Sequence, residues 1–352
     1  MIDFFQIKLT QEMIDAASNS LENEKFVMGE SVFKFEEEFA TYTGTKFAVS
    51  VNSGNAALQL SLMSLGISRN DKVITSTNSF IASANCILSN NAKPILCDIK
   101  DEDGNIDISS TNEKSNAIIP VHIYGNPCDM DAIKEKSEKD NAPIIEDSAQ
   151  AHGAEFNNKK VGSLGDIGCF SFYPTKNMTV GGDGGMVTTD NDEIAKKISS
   201  FRDNGRTEQR YEHDKLGFTM RLNSVNAAIG RVQLRHLDQW NARKTEIADI
   251  YRKNLTTDCI LPENKKGKSV YHQIVIKHEK RNEIQEHLTK NNIGTMIHYV
   301  IPIHQQPLYK NFNFNLPNSD KFVTEVLSLP SYPTLTDEEV KITCEKINEI
   351  IK

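Results

Sequence analysis

An acidic residue and a lysine each follow a short apolar run in this sequence. The run 143–145 leads into an acidic pair that ends in Asp147, and the run 167–172 leads into a turn that contains Lys176. Two buried strands would place both residues at strand C-terminal ends, where open α/β sheets bind ligands. A lysine that can form a Schiff base, paired with an acid, indicates pyridoxal 5'-phosphate (PLP) chemistry.

Lys176 and Asp147 each also have a purely structural interpretation. Loop lysines are commonly just solvated, and an acid at a strand end often caps a turn. The position of Lys176 between a buried strand and the glycine cluster 181–185 favours a functional lysine, since partial burial lowers a lysine pKa. Asp147 is preferred over Glu146 as partner of the pyridine nitrogen, because successive strand side chains point to opposite faces. Gln150 is then expected near the ring's phenolic oxygen.

Segment 53–56 (SGNA) lies between a strand pattern and a helical pattern. Its backbone N–H groups and the positive end of a helix dipole suit a phosphate, although Ser-Gly-Asn is also an ordinary helix start. Ser171 offers a hydroxyl to the same phosphate. Phe80 is either a stacking plate for the pyridine ring or a core residue. The glycine cluster 181–185 has neither dinucleotide nor P-loop spacing, so we interpret it as a sharp turn and expect no nucleotide-binding reductase.

The elements that position these residues alternate along the chain. Strand and helix patterns from about 26 to 235 predict βαβ units and a mainly parallel sheet. Helical spacing over 224–255 predicts one long connecting helix. We predict a large α/β domain over 1–235 and a smaller α+β domain over 236–352, with packing of residues 1–25 on the small domain as one option. Apolar runs predict strands that include 47–51, 73–74, 94–98, 117–123 and 270–276.

The composition, with 38% apolar and 25% charged residues among 352, is that of an ordinary globular protein. A net charge of −8 without any Lys/Arg block argues against a nucleic-acid partner. Because no apolar run reaches about 18 residues, we expect no membrane span. The six cysteines lack metal-binding spacing, which predicts no metal site and reduced thiols. With no targeting leader at the start, a cytoplasmic protein is expected.

Taken in order, these motifs resemble the DegT/StrS-type (DegT/DnrJ/EryC/StrS) PLP-dependent sugar aminotransferases, which have the aspartate-aminotransferase fold (fold type I). The likeness covers nearly the whole chain. The segments that carry it are FEEEFA at 35–40, SGNAAL at 53–58, IPVHIYG at 119–125, EDSAQ at 146–150, SFYPTKN at 171–177, AAIG at 227–230, His298-Tyr299 and LSLP at 327–330.

The resemblance implies a role for each matched residue. It implies Lys176 as Schiff-base lysine and proton shuttle, Asp147 as pyridinium partner, Gln150 beside the ring oxygen, Phe80 as the stacking residue, and Asn55, Ala56 and Ser171 as the phosphate cradle. Asn55 stands where the family usually has Thr, so a hydroxyl contact is lost. Thr219 stands where an Asn commonly reaches the phosphate of the other subunit, and that contact is shorter, water-mediated or absent.

The histidines divide into two groups. His298 and His304 flank Tyr299 in a stretch that resembles the family's substrate-facing segment, and whether they touch a sugar nucleotide stays open. His122 and His152 lie near predicted strand ends, where they either border the site or are satisfied within the structure.

The resemblance implies an aminotransferase that converts a nucleotide-linked keto-deoxysugar to the amino sugar, with L-glutamate as donor and 2-oxoglutarate as its product. It also implies a homodimer with shared active sites. Two alternatives remain. One is the dehydratase branch of the family, whose members carry His where this chain has Lys176. The other is a non-catalytic ligand sensor, although no helix-turn-helix or basic recognition helix is evident.

Overall fold

Seven strands form the central sheet in the computed structural model, which describes residues 1–7, 9–209 and 211–351. The strands of the chain are β1 Phe47–Val51, β2 Lys72–Ser76, β3 Lys93–Cys97, β4 Ala117–Ile119, β5 Ile145–Asp147, β6 Glu155–Phe156, β7 Lys159–Lys160, β8 Ile167–Ser171, β9 Gly185–Thr189, β10 Gly267–Lys268, β11 Ile274–Lys277 and β12 Val326–Leu329. The central sheet has the order β3-β2-β4-β5-β8-β9-β1, where isolated parallel bridges join β4 to β5. Only β9 runs antiparallel to its neighbours, so the predicted mainly parallel sheet is confirmed.

Helices cover the sheet and build the remainder of the molecule. They are α1 Gln11–Asn23, α2 Glu30–Thr43, α3 Gly54–Ser64, α4 Ala82–Ser89, α5 Met130–Asp140, α6 Asp192–Phe201, α7 Ser224–Asn254, α8 Arg281–Lys290, α9 Pro317–Glu325 and α10 Asp337–Ile351. The side chain of Asn223 caps α7 by accepting the N–H of Asn226. Thr336 and Glu339 exchange hydrogen bonds at the start of α10, which is a capping box.

Apolar strand residues bury the sheet on both faces. On one face, side chains of β1, β5 and β8 pack with α3 and α6, as Val51, Leu60, Ile145 and Ile198 show. On the other face, Phe170 and its neighbours pack against α2 and α7. Because central strands that are buried on both sides read as continuous apolar runs, the sequence pattern before Asp147 and Lys176 has a direct structural cause.

The C-terminal region has a core of its own. The antiparallel pair β11–β12 packs with α8, α10 and the end of α7, and this cluster includes Ile2 from the chain start. Ile2 bonds with the backbone of residues 292–294 at 2.8 and 2.9 Å. Helix α1, in contrast, places Met13 against Ile229 and Val232 of α7. Residues 1–25 therefore divide between the two regions, and the boundary at 235/236, which falls inside the continuous α7, stays a prediction.

Two strand predictions are too long. The run 117–123 is a strand only to Ile119, since the chain turns through a 3-10 helix at Ile123–Gly125 in which Tyr124 has a φ of 60°. The run 270–276 becomes regular only at Ile274, because Val270 and Gln273 donate instead to carbonyls of Gly125 and Tyr124. In both places, irregular backbone pairs with irregular backbone beside the site described below.

Several global features concern the described part of the chain. No helix there is long and apolar enough to cross a bilayer. No group of three His, Cys, Asp or Glu side chains there is arranged to hold a metal ion. All six cysteines are buried free thiols, and burial raises the pKa of each one that faces the sheet core, Cys86 and Cys169 among them.

Candidate active site

The two predicted site residues meet in one cavity. Strands β5 and β8 are parallel neighbours in which Asp147 pairs with Cys169, so their C-terminal ends lie at the same sheet edge. Lys176 lies in the turn after β8, where its N–H bonds to Tyr173 O at 2.9 Å. A cavity of about 630 Å³ opens there, and Asp147 and Lys176 both line it. Its other walls include the start of α3, the residues before and in α4, the chain start, and residues His272, Gln273, Met296, His298, Tyr299 and Ser331.

Asp147 is a buried carboxylate with few partners. Its Oδ2 accepts from the Ser83 hydroxyl at 2.7 Å, and its Oδ1 accepts from the Ala149 N–H at 3.2 Å. Burial raises the pKa of Asp147, while the hydrogen bonds from Ser83 and Ala149 oppose that rise. The carboxylate therefore retains accepting capacity toward the cavity.

Glu146 points to the opposite side of β5, as alternation predicts. Its oxygens accept from the N–H groups of Gly162, Leu164 and Gly165 at 2.7 to 2.8 Å. Its fourth donor is Nε2 of His122 at 3.0 Å. Since His122 Nδ1 accepts the N–H of Cys128 at 3.0 Å, Nε2 carries the single ring proton and the imidazole is neutral. Glu146 and His122 thus hold the loop after β7 and do not border the site.

Lys176 has the environment of a reactive amine. Desolvation by burial lowers the pKa of Lys176 to about 8, and the negative charge of Asp147 opposes that shift. Among the described residues, none forms a hydrogen bond with its side-chain amine. A larger fraction of this amine is therefore unprotonated near neutral pH than in an ordinary lysine, and the unprotonated amine is the nucleophile toward an aldehyde.

The start of α3 provides the anion site. Ser53 caps the helix by accepting the N–H of Ala56 at 3.1 Å, whereas the first-turn N–H groups of Gly54 and Asn55 have no acceptor within the helix. Ser171 lies directly against this turn, because a side chain on Gly54 would come within 2.7 Å of the Ser171 Cβ. A phosphate would therefore meet the N–H groups of Gly54 and Asn55 and the Ser171 hydroxyl. The N–H of Ala56 already has its partner.

Aromatic and amide groups form a further part of the cavity wall. Phe80 is 58% exposed and lies 6.2 Å from Tyr299 between ring centroids, so it lines the cavity and is not a core residue. The Gln150 amide is fixed, because its Oε1 accepts the Tyr124 N–H at 2.8 Å and its Nε2 donates to the Tyr299 hydroxyl at 3.2 Å. These contacts hold Gln150 and Tyr299 together in the cavity wall.

The predicted substrate-facing residues separate into two places. His298 lines the cavity with Tyr299, bonds through Nδ1 to Ser328 Oγ at 2.9 Å and stacks on Phe4. Burial, and secondly the charge of Lys176, lowers the pKa of His298 to about 4, so the ring is neutral at pH 7. His304 does not reach the cavity, since its two ring nitrogens bond to Thr77 Oγ1 at 2.7 Å and Asp320 Oδ1 at 2.9 Å.

Two further predicted positions lie outside the cavity of their own chain. Thr219 is exposed and donates to Asn204 Oδ1 at 3.1 Å. His152 is fully buried beside Phe170 and Phe172, where burial lowers the pKa of its ring to about 3. His152 is therefore a neutral core residue. Thr219 does not line this cavity.

The structure also brings residues to the cavity that the sequence reasoning missed. Ser83 touches Asp147, and its spacing from Ser79 by one helical turn was an available signal. Phe4 and Phe5 carried no local signal, because the pairing of Ile2 with Ile293 brings them there. His272 reaches the wall from the irregular segment before β11, which the pattern had assigned to a strand.

Comparison with known proteins identifies the class. A sequence profile of the DegT/DnrJ/EryC1/StrS aminotransferase family matches residues 8–348. The chain is 36% identical to the pleiotropic regulatory protein of Geobacillus stearothermophilus, over 98% of this chain and 96% of that protein. It is 34% identical to a dTDP-3-amino-3,4,6-trideoxy-alpha-D-glucose transaminase of Streptomyces venezuelae, over 99% of this chain and 96% of that one.

Solved structures agree with this match. Streptomyces venezuelae DesV, in complex with a ketimine intermediate, superposes with a TM-score of 0.92 at 34% identity, over 96% of this chain and 94% of that chain. A Streptococcus pneumoniae protein in its PLP form superposes with a TM-score of 0.92 at 26% identity, over 99% of this chain and 98% of that one. The chain belongs to the DegT/DnrJ/EryC1/StrS aminotransferase family and has its fold type I architecture. It is an aminotransferase whose cofactor is PLP.

The cavity fits this cofactor on its own chemistry. It contains an amine of lowered pKa for the aldehyde, a carboxylate with a free accepting position for the ring nitrogen, and a helix start for the phosphate. Phe80 adds a flat apolar face, and the fixed Gln150 amide lies at the ring edge.

Proposed function

We propose that this protein transfers an amino group from L-glutamate to a nucleotide-linked keto-deoxysugar, with Lys176 and Asp147 as its catalytic pair. The observation that carries the proposal is the free Lys176 amine, with a pKa lowered to about 8, in one cavity with Asp147 and an open helix start. Relatives that span nearly the whole chain support the sugar class, among them the transaminase named above.

The position of each residue in the cavity suggests its role in the reaction. Bound PLP supplies an electron-withdrawing ring that stabilises negative charge at the reacting carbon. Lys176 would hold the cofactor covalently through its side-chain amine, and that amine, when free, would carry the proton between the donor α-carbon and the cofactor C4′ carbon. Asp147 would keep the ring nitrogen protonated, and Gln150 would orient the ring through its phenolic oxygen. With the keto sugar as acceptor, Lys176 would carry the proton in the opposite direction.

The remaining roles follow from the cavity walls. Gly54, Asn55 and Ser171 would bind the phosphate, and Phe80 would stack on the ring. His298 and Tyr299, on the same wall as Gln150, would face the sugar. A neutral His298 suits an uncharged hydroxyl or carbonyl partner, whereas a charged ring would not be favoured beside Lys176.

A homodimer with shared sites is part of the proposal. Phe80 and Tyr173 are exposed at the cavity mouth by 58% and 51%, which leaves the site open on one side. Exposed apolar side chains, Phe26, Phe33 and Leu216 among them, provide surface for a second copy, from which Thr219 would reach the cavity. Sedimentation equilibrium would give the mass of a dimer, and a monomer mass at micromolar concentration would contradict this part. The buried free thiols suit a cytoplasmic location.

The decisive experiment uses the PLP-loaded enzyme with L-glutamate and a panel of dTDP-, UDP- and GDP-linked 3-keto and 4-keto deoxysugars. We expect one of them to give an amino sugar by mass spectrometry together with stoichiometric 2-oxoglutarate. Borohydride reduction followed by peptide mapping should place the cofactor on Lys176 and not on Lys244, the other lysine whose pKa burial lowers strongly. Tight sugar-nucleotide binding without any amine product would contradict the proposal and favour a ligand sensor. Loss of a sugar hydroxyl instead of amine formation would favour the dehydratase branch.

A further inference from the structure

A chain of two hydroxyls ends on the carboxylate of Asp147. Ser79 Oγ lies 2.7 Å from Ser83 Oγ, and Ser83 Oγ lies 2.7 Å from Asp147 Oδ2. The three side chains are 4%, 1% and 5% exposed, so water does not compete for these bonds. Ser79, Ser83 and Asp147 also line the cavity together.

The direction of the hydrogen bonds follows from the chemistry of the groups. An ionised carboxylate only accepts, so the single proton of the Ser83 hydroxyl must go to Asp147. The Ser83 oxygen is then free to accept, and the Ser79 hydroxyl donates to it. With Asp147 ionised, the order of donation is therefore Ser79 to Ser83 to Asp147.

Two elements hold the carboxylate from two sides. Ser83 belongs to α4, and the Ala149 N–H, which bonds to Oδ1, belongs to the turn after β5. With one donor on each oxygen, the plane of the carboxylate is fixed and each oxygen keeps a further accepting position. Helix α4 begins two residues after Phe80, so the same helix that follows the aromatic wall also holds Asp147.

We propose that Ser83, oriented by Ser79, is a positioning residue that keeps Asp147 ionised and aimed at the ring nitrogen of the cofactor. The proposal rests on the role of Asp147 given under the proposed function. Hydrogen bonds to the charged form favour that form, which opposes the cost of burying the carboxylate here. Without the Ser83 hydroxyl, the carboxylate would rotate or take up a proton, and its contact with a protonated ring nitrogen would weaken.

The test compares PLP with its 1-deaza analogue, in which a C–H replaces the ring nitrogen. Each is titrated into cofactor-free wild type, Ser83→Ala, Ser83→Thr, Ser79→Ala and Asp147→Asn, with binding followed by quenching of protein fluorescence. We expect Ser83→Ala to weaken PLP binding about tenfold, the size of one hydrogen bond to a charged group, and to leave binding of the analogue unchanged. Ser83→Thr keeps the hydroxyl and should restore PLP affinity. Ser79→Ala should show the same selectivity with a smaller loss.

The outcomes separate this inference from the proposal on which it rests. An equal loss for both ligands in Ser83→Ala would overturn the inference, because a merely structural serine affects phosphate and ring contacts alike. If Asp147→Asn discriminates between the ligands but neither serine variant does, the inference fails and the role of Asp147 stands. If Asp147→Asn does not discriminate either, both fail. Thermal unfolding of each cofactor-free variant shows that it is folded, and Ser83→Thr and Ser79→Ala supply the answer if Ser83→Ala is not.

Discussion

Two neighbouring acids on opposite faces of strand β5 differ in how many hydrogen bonds they accept. Glu146 accepts four hydrogen bonds, three from backbone N–H groups of residues 162–165 and one from His122. Asp147 accepts two and keeps room for more at the wall of a cavity of about 630 Å³. Both carboxylates are buried, yet only Asp147 has accepting positions that the described residues leave unused. An incomplete set of partners, and not burial or charge, marks the acid available for a ligand.

The two lysines whose pKa values burial lowers furthest among the described residues, Lys176 and Lys244, show the same contrast. Lys244 donates to His272 O at 3.1 Å and Asn177 Oδ1 at 3.4 Å, and burial lowers the pKa of its amine to about 7. Lys176 has a pKa lowered to about 8 and, among the described residues, no such partner. A lowered pKa alone would therefore select both lysines. Hydrogen-bond completion separates the amine that we propose to be reactive from the structural one.

The largest expected effect is on turnover. Lys176→Ala should lower kcat by more than about 10⁴-fold, because it removes both the nucleophile and the proton carrier, while PLP still binds without a covalent bond. Lys244→Met is the matched control and should retain both the covalent cofactor and turnover. Steady-state assays and borohydride mapping check both variants. Substantial transaminase activity in Lys176→Ala would break the comparison of the two lysines.

The next largest effects are on stability for Glu146 and on turnover for Asp147. Glu146→Gln should lower the free energy of unfolding by about 2–4 kcal/mol, because an amide cannot accept all four bonds and presents a donor to other donors. Asp147→Asn should cost the cofactor-free protein less than about 1 kcal/mol but abolish most turnover. Urea unfolding together with activity measures both. Equal stability losses in the two variants would contradict the assignment of Glu146 as the structural acid.

The pH dependence of Asp147 has a defined sign. Burial raises its pKa above the ordinary value of 3.8, so the folded, cofactor-free protein binds this proton more tightly than the unfolded chain does. The resulting destabilisation is absent below pH 3.8 and develops as the pH rises toward the raised pKa. The stability of Asp147→Asn relative to wild type should therefore improve over that interval. Urea titrations at several pH values test this, and a relative improvement as the pH falls would contradict it.

The rate at which PLP binds covalently should depend on the protonation state of the Lys176 amine. This rate should increase with pH and level off above about pH 8, since the pKa of Lys176 is lowered to about 8 from 10.5. In Asp147→Asn the plateau should begin at lower pH, because the Asp147 charge raises this pKa. Stopped-flow absorbance follows the reaction. A rate that still rises with pH near 10 would show that Lys176 is an ordinary lysine.

The smallest effect distinguishes two histidines. His298→Gln should raise KM for the sugar nucleotide severalfold, since His298 lines the cavity. His304→Gln should leave KM unchanged and cost about 1 kcal/mol of stability, because both of its ring bonds go to Thr77 and Asp320. The comparison would fail if the KM effect belonged to His304.

The sequence pattern identified the parts of this site that local order determines. Apolar runs ending in Asp147 and Lys176 predict parallel strands, and the register of β5 with β8 confirms that the two ends meet. Strand alternation also separated Asp147 from Glu146. Contacts between distant segments were beyond such reasoning, because the bond from Ser83 to Asp147 spans 64 positions and the bond from His304 to Thr77 spans 227. Irregular backbone at 120–125 and 270–273 was likewise missed, since its partners are distant loops and not neighbouring strands.

The most direct test of the assigned lysine and acid is the absorbance spectrum of the PLP-loaded protein before and after L-glutamate, without any sugar. Wild type should show the visible band of cofactor bound covalently to Lys176, and L-glutamate should convert it to the spectrum of pyridoxamine phosphate with one equivalent of 2-oxoglutarate. Lys176→Ala should show neither the band nor the conversion. A wild-type protein that binds PLP without a covalent band, or that L-glutamate leaves unchanged, would contradict the assignment of this cavity to amino transfer from glutamate.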